Sequence, residues 1–339
     1  MFHQAYEQLH NHAHTLFRRA DNRLWIAQYL GKHSVDQGRL YRNSISYICA
    51  DICSTRLPLF ILCPNGRTNI GLNRDRWIPN VFPPNKSIPD RIKRHYRFIG
   101  QLMGMAIRKK HYLDLKFSGF LWKQLVRDQI TIEDIEAIDI QSFTFINEME
   151  KTIEENIQST NTDNDINDLL NSIWEDMRFE CVSSAGEIYE LIPDGHKIPI
   201  RASNFKEYCK LYRDYRLNEF RQQIEFIRQG LYSVIPGYYL ILFTANELEE
   251  AVCGKGKMDM DLLKRNTTYG DGYNRKSSCI QYFWTVLVDM FTEEQKKMFL
   301  KFVWGRSTLP CCDNNFQSKF RINPYYVADH LKDKTLPSK

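Results

Sequence analysis

Phe98-Ile-Gly-Gln-Leu-Met-Gly-Met-Ala-Ile107 is the stretch on which the fold turns. Ile99, Leu102, Met103 and Ala106 recur at the spacing that gathers one face of a helix, so Arg94 to Lys109 reads as amphipathic. Gly100 and Gly104 fall one turn apart on the neighbouring face, where the missing side chains let a second helix approach closely. Farther along, Leu217, Phe220, Ile224, Ile227 and Leu231 step by three and four from Asp214 onward, which predicts one long helix with a single buried seam. Thr292 followed by Gln295 matches a capping box, in which each partner satisfies an orphan amide of the other's turn. It opens a helix containing Phe299, Leu300 and Phe302. The apolar face just before it, from Ile280 through Phe283, Trp284, Leu287 and Val288 to Phe291, is expected to pack against that helix.

Strand signals concentrate between Arg178 and Ile200. Glu187–Ile192 and His196–Ile200 flank Pro193-Asp194-Gly195, which predicts a hairpin with Gly195 at a positive φ. Asn204 with Glu207 predicts a second capping box and a helix through Tyr208, Leu211 and Tyr212. Ser159 to Asp168 is almost wholly polar and reads as an exposed loop. Cys253-Gly-Lys-Gly-Lys257 is short and glycine-interrupted, the best place in the chain for a hinge at Gly254 and Gly256.

Composition narrows the functional classes. With 43% apolar and 26% charged residues, the 339-residue chain can bury the cores of about two domains. A net charge of +5 is weak, and no basic stripe interleaved with aromatics argues for nucleic acid. The apolar runs Leu57–Cys63 and Tyr238–Phe243 fall far short of the ~20 residues that span a bilayer, so no membrane span is expected. Nine scattered cysteines fit a reducing compartment, the cytoplasm or the nucleus. Cys49, Cys53 and Cys63 lack paired CxxC knuckles, and His10, His12 and His14 read as a solvated, frayed terminus, so no metal site is assigned. Cys311-Cys312 reads as two ordinary thiols, Phe283-Trp284 as core, and Arg18-Arg19 and Arg108–His111 as exposed helix faces.

Taken in order, the landmarks resemble the HECT domain of ubiquitin ligases, especially its large HERC-type branch, over about residues 20 to 339. They begin with Trp25, Asp36–Arg42, Pro64-Asn-Gly66, Asn73-Arg-Asp75 and Trp77–Asn80. Phe98–Ile107, Leu113-Asp-Leu115, Glu190–Gly195 and Asn204 follow, then Phe243, Glu247-Leu-Glu249, Cys253-Gly254, Thr268-Tyr269 and Tyr273. Phe283-Trp284 and Phe302–Pro310 come next, and the chain closes on Thr335-Leu-Pro-Ser-Lys339. Arg39 stands where the family commonly has a second glycine, and Cys311–Ser318 replaces a glycine-containing loop.

The resemblance implies a mostly helical, two-lobed α+β fold. Residues 1–20 would be an N-terminal extension, 21–254 the N-lobe with a small conjugating-enzyme-binding subdomain at about 143–215, and 255–339 an incomplete C-lobe. It implies acceptance of ubiquitin from a conjugating enzyme as a cysteine thioester and its passage to lysines of protein substrates, with no cofactor. The family's nucleophile is a cysteine a few residues past its Leu-Pro pair, so no catalytic residue is expected within the chain and the cysteine is expected beyond Lys339. The alternative is a truncated, inactive module that only binds the conjugating enzyme. Tyr208 and Tyr212 match family positions lining the conjugating-enzyme site, with Trp174 and Leu170 completing it; by spacing alone the two tyrosines read as packing.

Overall fold

The computed structural model describes the chain except residues 22, 29–38, 84–86, 159–176, 202, 257, 271, 305–307, 311–312, 314–315, 317–318 and 325–339. Leu170, Trp174, the 159–168 loop, Asp36, Cys311, Cys312 and the closing Thr335–Lys339 run therefore lie outside the described residues.

In chain order the helices are α1 (Phe2–Leu9), α2 (Ala13–Leu16), α3 (Arg39–Ile52), α4 (Pro64–Thr68), α5 (Asp90–Lys109), α6 (Gly119–Val126), α7 (Ile132–Glu136) and α8 (Ile140–Gln158). They continue with α9 (Phe205–Asn218), α10 (Arg221–Tyr232), α11 (Gly237–Leu240), α12 (Ala245–Cys253), α13 (Met260–Arg265), α14 (Ser278–Thr285) and α15 (Glu293–Trp304). Strands β1 (Phe60–Leu62) and β2 (Trp77–Pro79) pair antiparallel, as do β3 (Glu180–Val182) and β4 (Ile188–Glu190), whereas β5 (Thr267–Tyr269) and β6 (Phe320–Ile322) run parallel. The fold is α+β and mostly helical, as the sequence predicts.

Two compact units divide the chain, one of Met1–Arg18, Cys49–Met105 and Leu115–Leu248, the other of Arg19–Ile48, Ala106–Asp114 and Glu249–Lys339. The first is organised by Phe98–Ile107 of α5. A Cβ at Gly100 would collide with the Ile227 carbonyl oxygen, and one at Gly230 with that of Arg97, so α5 and α10 cross backbone against backbone. Ile99, Leu102, Met103, Ile224, Ile227 and Leu231 are buried around the crossing. Arg97 Nε donates to Gln229 Oε1 at 3.0 Å alongside it.

The predicted single helix from Asp214 to Leu231 is two helices. It breaks at Glu219 and Phe220, where Phe220 adopts φ −107 and ψ 5, because the Glu219 carboxylate turns inward to accept from Ser184 N at 2.7 Å and Ser184 Oγ at 2.6 Å. The hairpin is also displaced. Its strands are β3 and β4 joined through Ser183–Glu187, with Gly186 at φ +88, while Gly195 opens a short 3₁₀ turn and Asp194 takes the left-handed φ of 57. Gly195 is required there for closeness instead, since a Cβ would strike the Phe179 carbonyl. Asn204 does precede α9, but its side chain accepts from Arg201 N and donates to Pro199 O, so no capping box forms with Glu207. Nor is the N-terminus a frayed segment: Phe2, Tyr6, Ala13 and Phe17 are buried, with Phe2 and Tyr6 edge-on to His95 and Phe98. Their near-helical spacing was the signal the neighbouring histidines obscured.

In the second unit the Thr292–Gln295 capping box is formed, each backbone N–H reaching the other's side-chain oxygen at 2.9 and 3.3 Å. Ile280, Trp284, Leu287 and Leu300 share one core, with the Phe283 and Phe299 rings 5.8 Å apart, so α14 packs on α15 as expected. The helix winds into a π turn at Val286–Met290 after α14. Trp284 Nε1 donates to Tyr269 OH at 3.0 Å and ties β5 to this core.

Candidate functional site

Tyr208 and Tyr212 sit one turn apart on α9, and their rings meet 6.1 Å apart. Phe179 is edge-on to the first at 5.7 Å and Phe143 to the second at 6.2 Å. Tyr208 donates to the Glu180 carbonyl at 3.2 Å, which fastens α9 to β3. Beneath them lies a core of Ile146, Met149 and Ile153 from α8, with Cys181, Ile200, Phe205 and Cys209. At 3% and 6% exposure, the two tyrosines form a floor rather than projecting anchors.

Above that floor opens a groove of about 500 Å³, whose lining includes Phe145, Met177, Glu180, Val182 and Ile188. Val182 and Ile188 are partners across the β3–β4 hairpin, yet they are 52% and 65% exposed. A paired apolar rim left in water beside an aromatic floor is the pattern of a protein-docking groove. Burial pushes the Tyr212 phenol up to about 12 and the Tyr208 phenol higher, so both remain neutral donors at physiological pH.

Directly under the groove lies a buried ion cluster. Arg216, 1% exposed, donates from Nη2 to Asp139 Oδ2 at 2.7 Å and to Ser184 Oγ at 2.9 Å. Its Nε stands at ion-pair distance, 3.5 Å, from Glu219 Oε2, and its Nη1 reaches Tyr212 OH at 3.5 Å. Burial pushes the Glu219 carboxyl upward, opposed by Arg216 and by its two hydrogen bonds from Ser184.

At the glycine-interrupted segment, Gly254 takes φ +81 immediately after α12 and donates to Glu250 O at 2.9 Å, which is the left-handed termination of a helix. A Cβ on Gly256 would meet nothing within 4 Å. Among the described residues, no group of histidines, cysteines and carboxylates is placed to hold a metal ion, and no helix is long and apolar enough to cross a membrane.

The profile of the HECT-domain (ubiquitin-transferase) family matches residues 46–339. The chain belongs to the HECT-domain family. It is 33% identical to the E3 ubiquitin-protein ligase HERC2 of Mus musculus over 319 residues, 91% of this chain and 6% of that protein. HERC2 of Homo sapiens gives the same identity over 321 residues, again 91% of this chain and 6% of the relative. The E3 ubiquitin-protein ligase RSP5 of Saccharomyces cerevisiae is 28% identical over 230 residues, 67% of this chain and 26% of its own length. The chain thus spans only about 6% of the length of the HERC2 relatives it matches.

Within this HECT domain the structure brings Tyr208 and Tyr212 together on one floor, while Leu170 and Trp174 fall outside the described residues. Sequence reasoning missed the rim residues Phe145, Val182 and Ile188. The last two are apolar residues flanking the Ser183-Ser-Ala-Gly186 turn, a signal that the stronger Pro193-Asp194-Gly195 turn pattern masks. It also missed Arg216, whose partners are 77 residues before it and three after it, a spacing that carries no motif. The cysteines divide by burial. Cys181 and Cys209 have thiols pushed up to about 12 by burial, Cys63 is raised for the same reason, and Cys49 is buried, whereas Cys279 is exposed.

Proposed function

We propose that this HECT domain docks a ubiquitin-conjugating enzyme on the groove floored by Tyr208 and Tyr212, accepts ubiquitin as a thioester, and passes it to lysines of protein substrates. The observation that carries the reading is the apolar rim of Val182 and Ile188 standing exposed over that aromatic floor. Its similarity to the E3 ubiquitin-protein ligases HERC2 and RSP5 supports it. In this reading Leu170 and Trp174 complete the docking surface, 143–215 is the docking subdomain, and 21–254 and 255–339 are the two lobes.

The chemistry is two acyl transfers. A cysteine thiolate attacks the thioester carbonyl carbon of the charged conjugating enzyme and expels that enzyme's thiolate; a lysine amine then attacks the new thioester, loses a proton and releases the cysteine thiolate. The thiolate is the active form, and burial in apolar surroundings disfavours it. Cys63, Cys181 and Cys209, with thiols raised by burial, are therefore poor nucleophiles. In this reading the acceptor is the cysteine that the family carries a few residues past its Leu-Pro pair, which corresponds here to Leu336-Pro337. Gly254 and Gly256 serve as the hinge, keeping the acceptor tethered at an effective concentration of the order of mM.

The test is ubiquitin loading. Incubated with activating enzyme, conjugating enzyme, ATP and ubiquitin, the HECT domain carrying the family's cysteine past its Leu-Pro pair gives a reductant-sensitive adduct on that cysteine. A thioester mapped by mass spectrometry to Cys279, or to any other cysteine of these residues, would overturn the assignment.

A further inference from the structure

The groove is carried by a segment that leaves the rest of its unit at one residue and returns at another. Asp139 immediately precedes α8, and Glu219 immediately follows α9. The core under the groove is drawn from Ile146 to Tyr212, and among the described residues Met177, Leu191, Ile192, Ile198, Leu211 and Tyr215, packed against it, belong to the same segment. That core holds the segment together and does not by itself fix its orientation.

Across the boundary α7 contacts α8 and α9, and Ile140 N and Asn147 Nδ2 donate to Asn65 and Glu136, but the side chains buried at the neck itself are charged. The residue of entry and the residue of exit are both carboxylates, and both face the guanidinium of Arg216, Asp139 at 2.7 Å and Glu219 at 3.5 Å. Ser184, at the tip of the β3–β4 hairpin, is held from three sides: its Oγ accepts from Arg216, its N–H and Oγ–H donate to Glu219, and its carbonyl accepts from Arg67 of α4. All three ionic side chains are at most 5% exposed. The same guanidinium lies over the Phe143 ring at 5.7 Å and reaches Tyr212 OH, so it touches the groove floor from beneath.

We propose that Arg216, Asp139, Glu219 and Ser184 form a neck clamp that fixes the orientation of the groove-bearing segment and thereby aims a docked conjugating enzyme, an inference that rests on the docking reading above. These are positioning residues: none lies on the exposed rim that a partner would touch. A planar guanidinium shared by two carboxylates is directional, and a tilt of the segment would leave at least one buried charge without its partner. The cluster therefore disfavours intermediate orientations in a way that apolar packing, which tolerates sliding, does not.

The test uses spin labels on non-natural residues at Arg94 of α5 and Lys210 of α9, both exposed, and reads the distribution of distances between them. Glu219→Gln and the milder Ser184→Ala each broaden the distribution at least twofold while the protein stays folded, and Arg216→Lys gives an intermediate width. The affinity for a conjugating enzyme changes less than threefold because the rim is intact. Single-turnover transfer in the complete ligase slows at least fivefold at saturating conjugating enzyme, a loss in rate rather than in apparent affinity. Wild-type widths in both folded variants, or broad distributions with unchanged transfer, would overturn the clamp. Failure of the wild type to bind any conjugating enzyme would overturn the docking reading instead, and the label widths would still decide whether the neck is clamped.

Discussion

The crossing of α5 on α10 and the neck beneath the groove fix neighbouring parts of one unit by opposite means. At the crossing, Gly100 and Gly230 remove side chains so that backbones touch, and Ile99, Leu102, Ile227 and Leu231 fill the space around them. At the neck, the chain buries a cation between two carboxylates. The first joint is defined by shape and resists anything added to it. The second is defined by charge, and removing a partner damages it most. A joint of the first kind suits a frame, and one of the second suits an orientation that must be single-valued.

The largest expected effect breaks the second joint. Arg216→Met strands Asp139 and Glu219 in the interior and should cost about 3–5 kcal/mol by urea unfolding. Changing all three residues, Arg216→Met with Asp139→Leu and Glu219→Leu, should recover most of that, since an apolar replacement of a buried ion cluster is often neutral. If the triple variant is no more stable than the single one, the cluster is not the isolated ionic joint described.

Next is the crossing. Gly230→Ala places a methyl against the Arg97 carbonyl and should cost about 1–3 kcal/mol through overpacking. Gly256→Ala, with nothing within 4 Å of the added carbon, should stay within about 0.5 kcal/mol. Equal effects at the two sites would dissolve the distinction between a glycine needed for closeness and one that is not.

A smaller effect comes from a third device near the crossing. His95 is buried on α5 with Phe2 and Tyr6 edge-on, its Nε2 without a hydrogen-bond partner among the described residues. Burial lowers its pKa from 6.5 to about 4, helped by Arg91, His3 and Arg94 and opposed by Glu7. The folded value lies below the unfolded one, so the unfolded chain takes up the proton first. Stability contributed by the neutral ring is present above about pH 6.5 and is lost as pH falls toward about 4. The loss accumulates over that window, and the His95→Leu variant should lack this part of the slope.

The same contrast explains what was legible in the sequence. Gly100, Gly104 and the Ile99–Ala106 face announced a close helix crossing because glycine spacing and apolar period are local patterns, and both are realised. Thr292 and Gln295 were readable for the same reason. Arg216 was not, because a buried ion cluster is made by residues far apart in the chain and each reads alone as a surface charge. The long helix expected from Asp214 fails at the point where that cluster takes Glu219 inward. Tyr208 and Tyr212 were placed by family resemblance; spacing gave only that they share a face, and their burial makes them the floor beneath Val182 and Ile188 rather than free-standing anchors.

The claim that the groove docks a conjugating enzyme is tested most directly at its rim, where substitution leaves the core intact. Titration calorimetry of a ubiquitin-conjugating enzyme should give saturable binding to the wild-type chain. Val182→Ser with Ile188→Ser should weaken it at least tenfold, about 1.4 kcal/mol, with an unchanged thermal midpoint. Equal affinity for the wild type and this double variant would contradict the account.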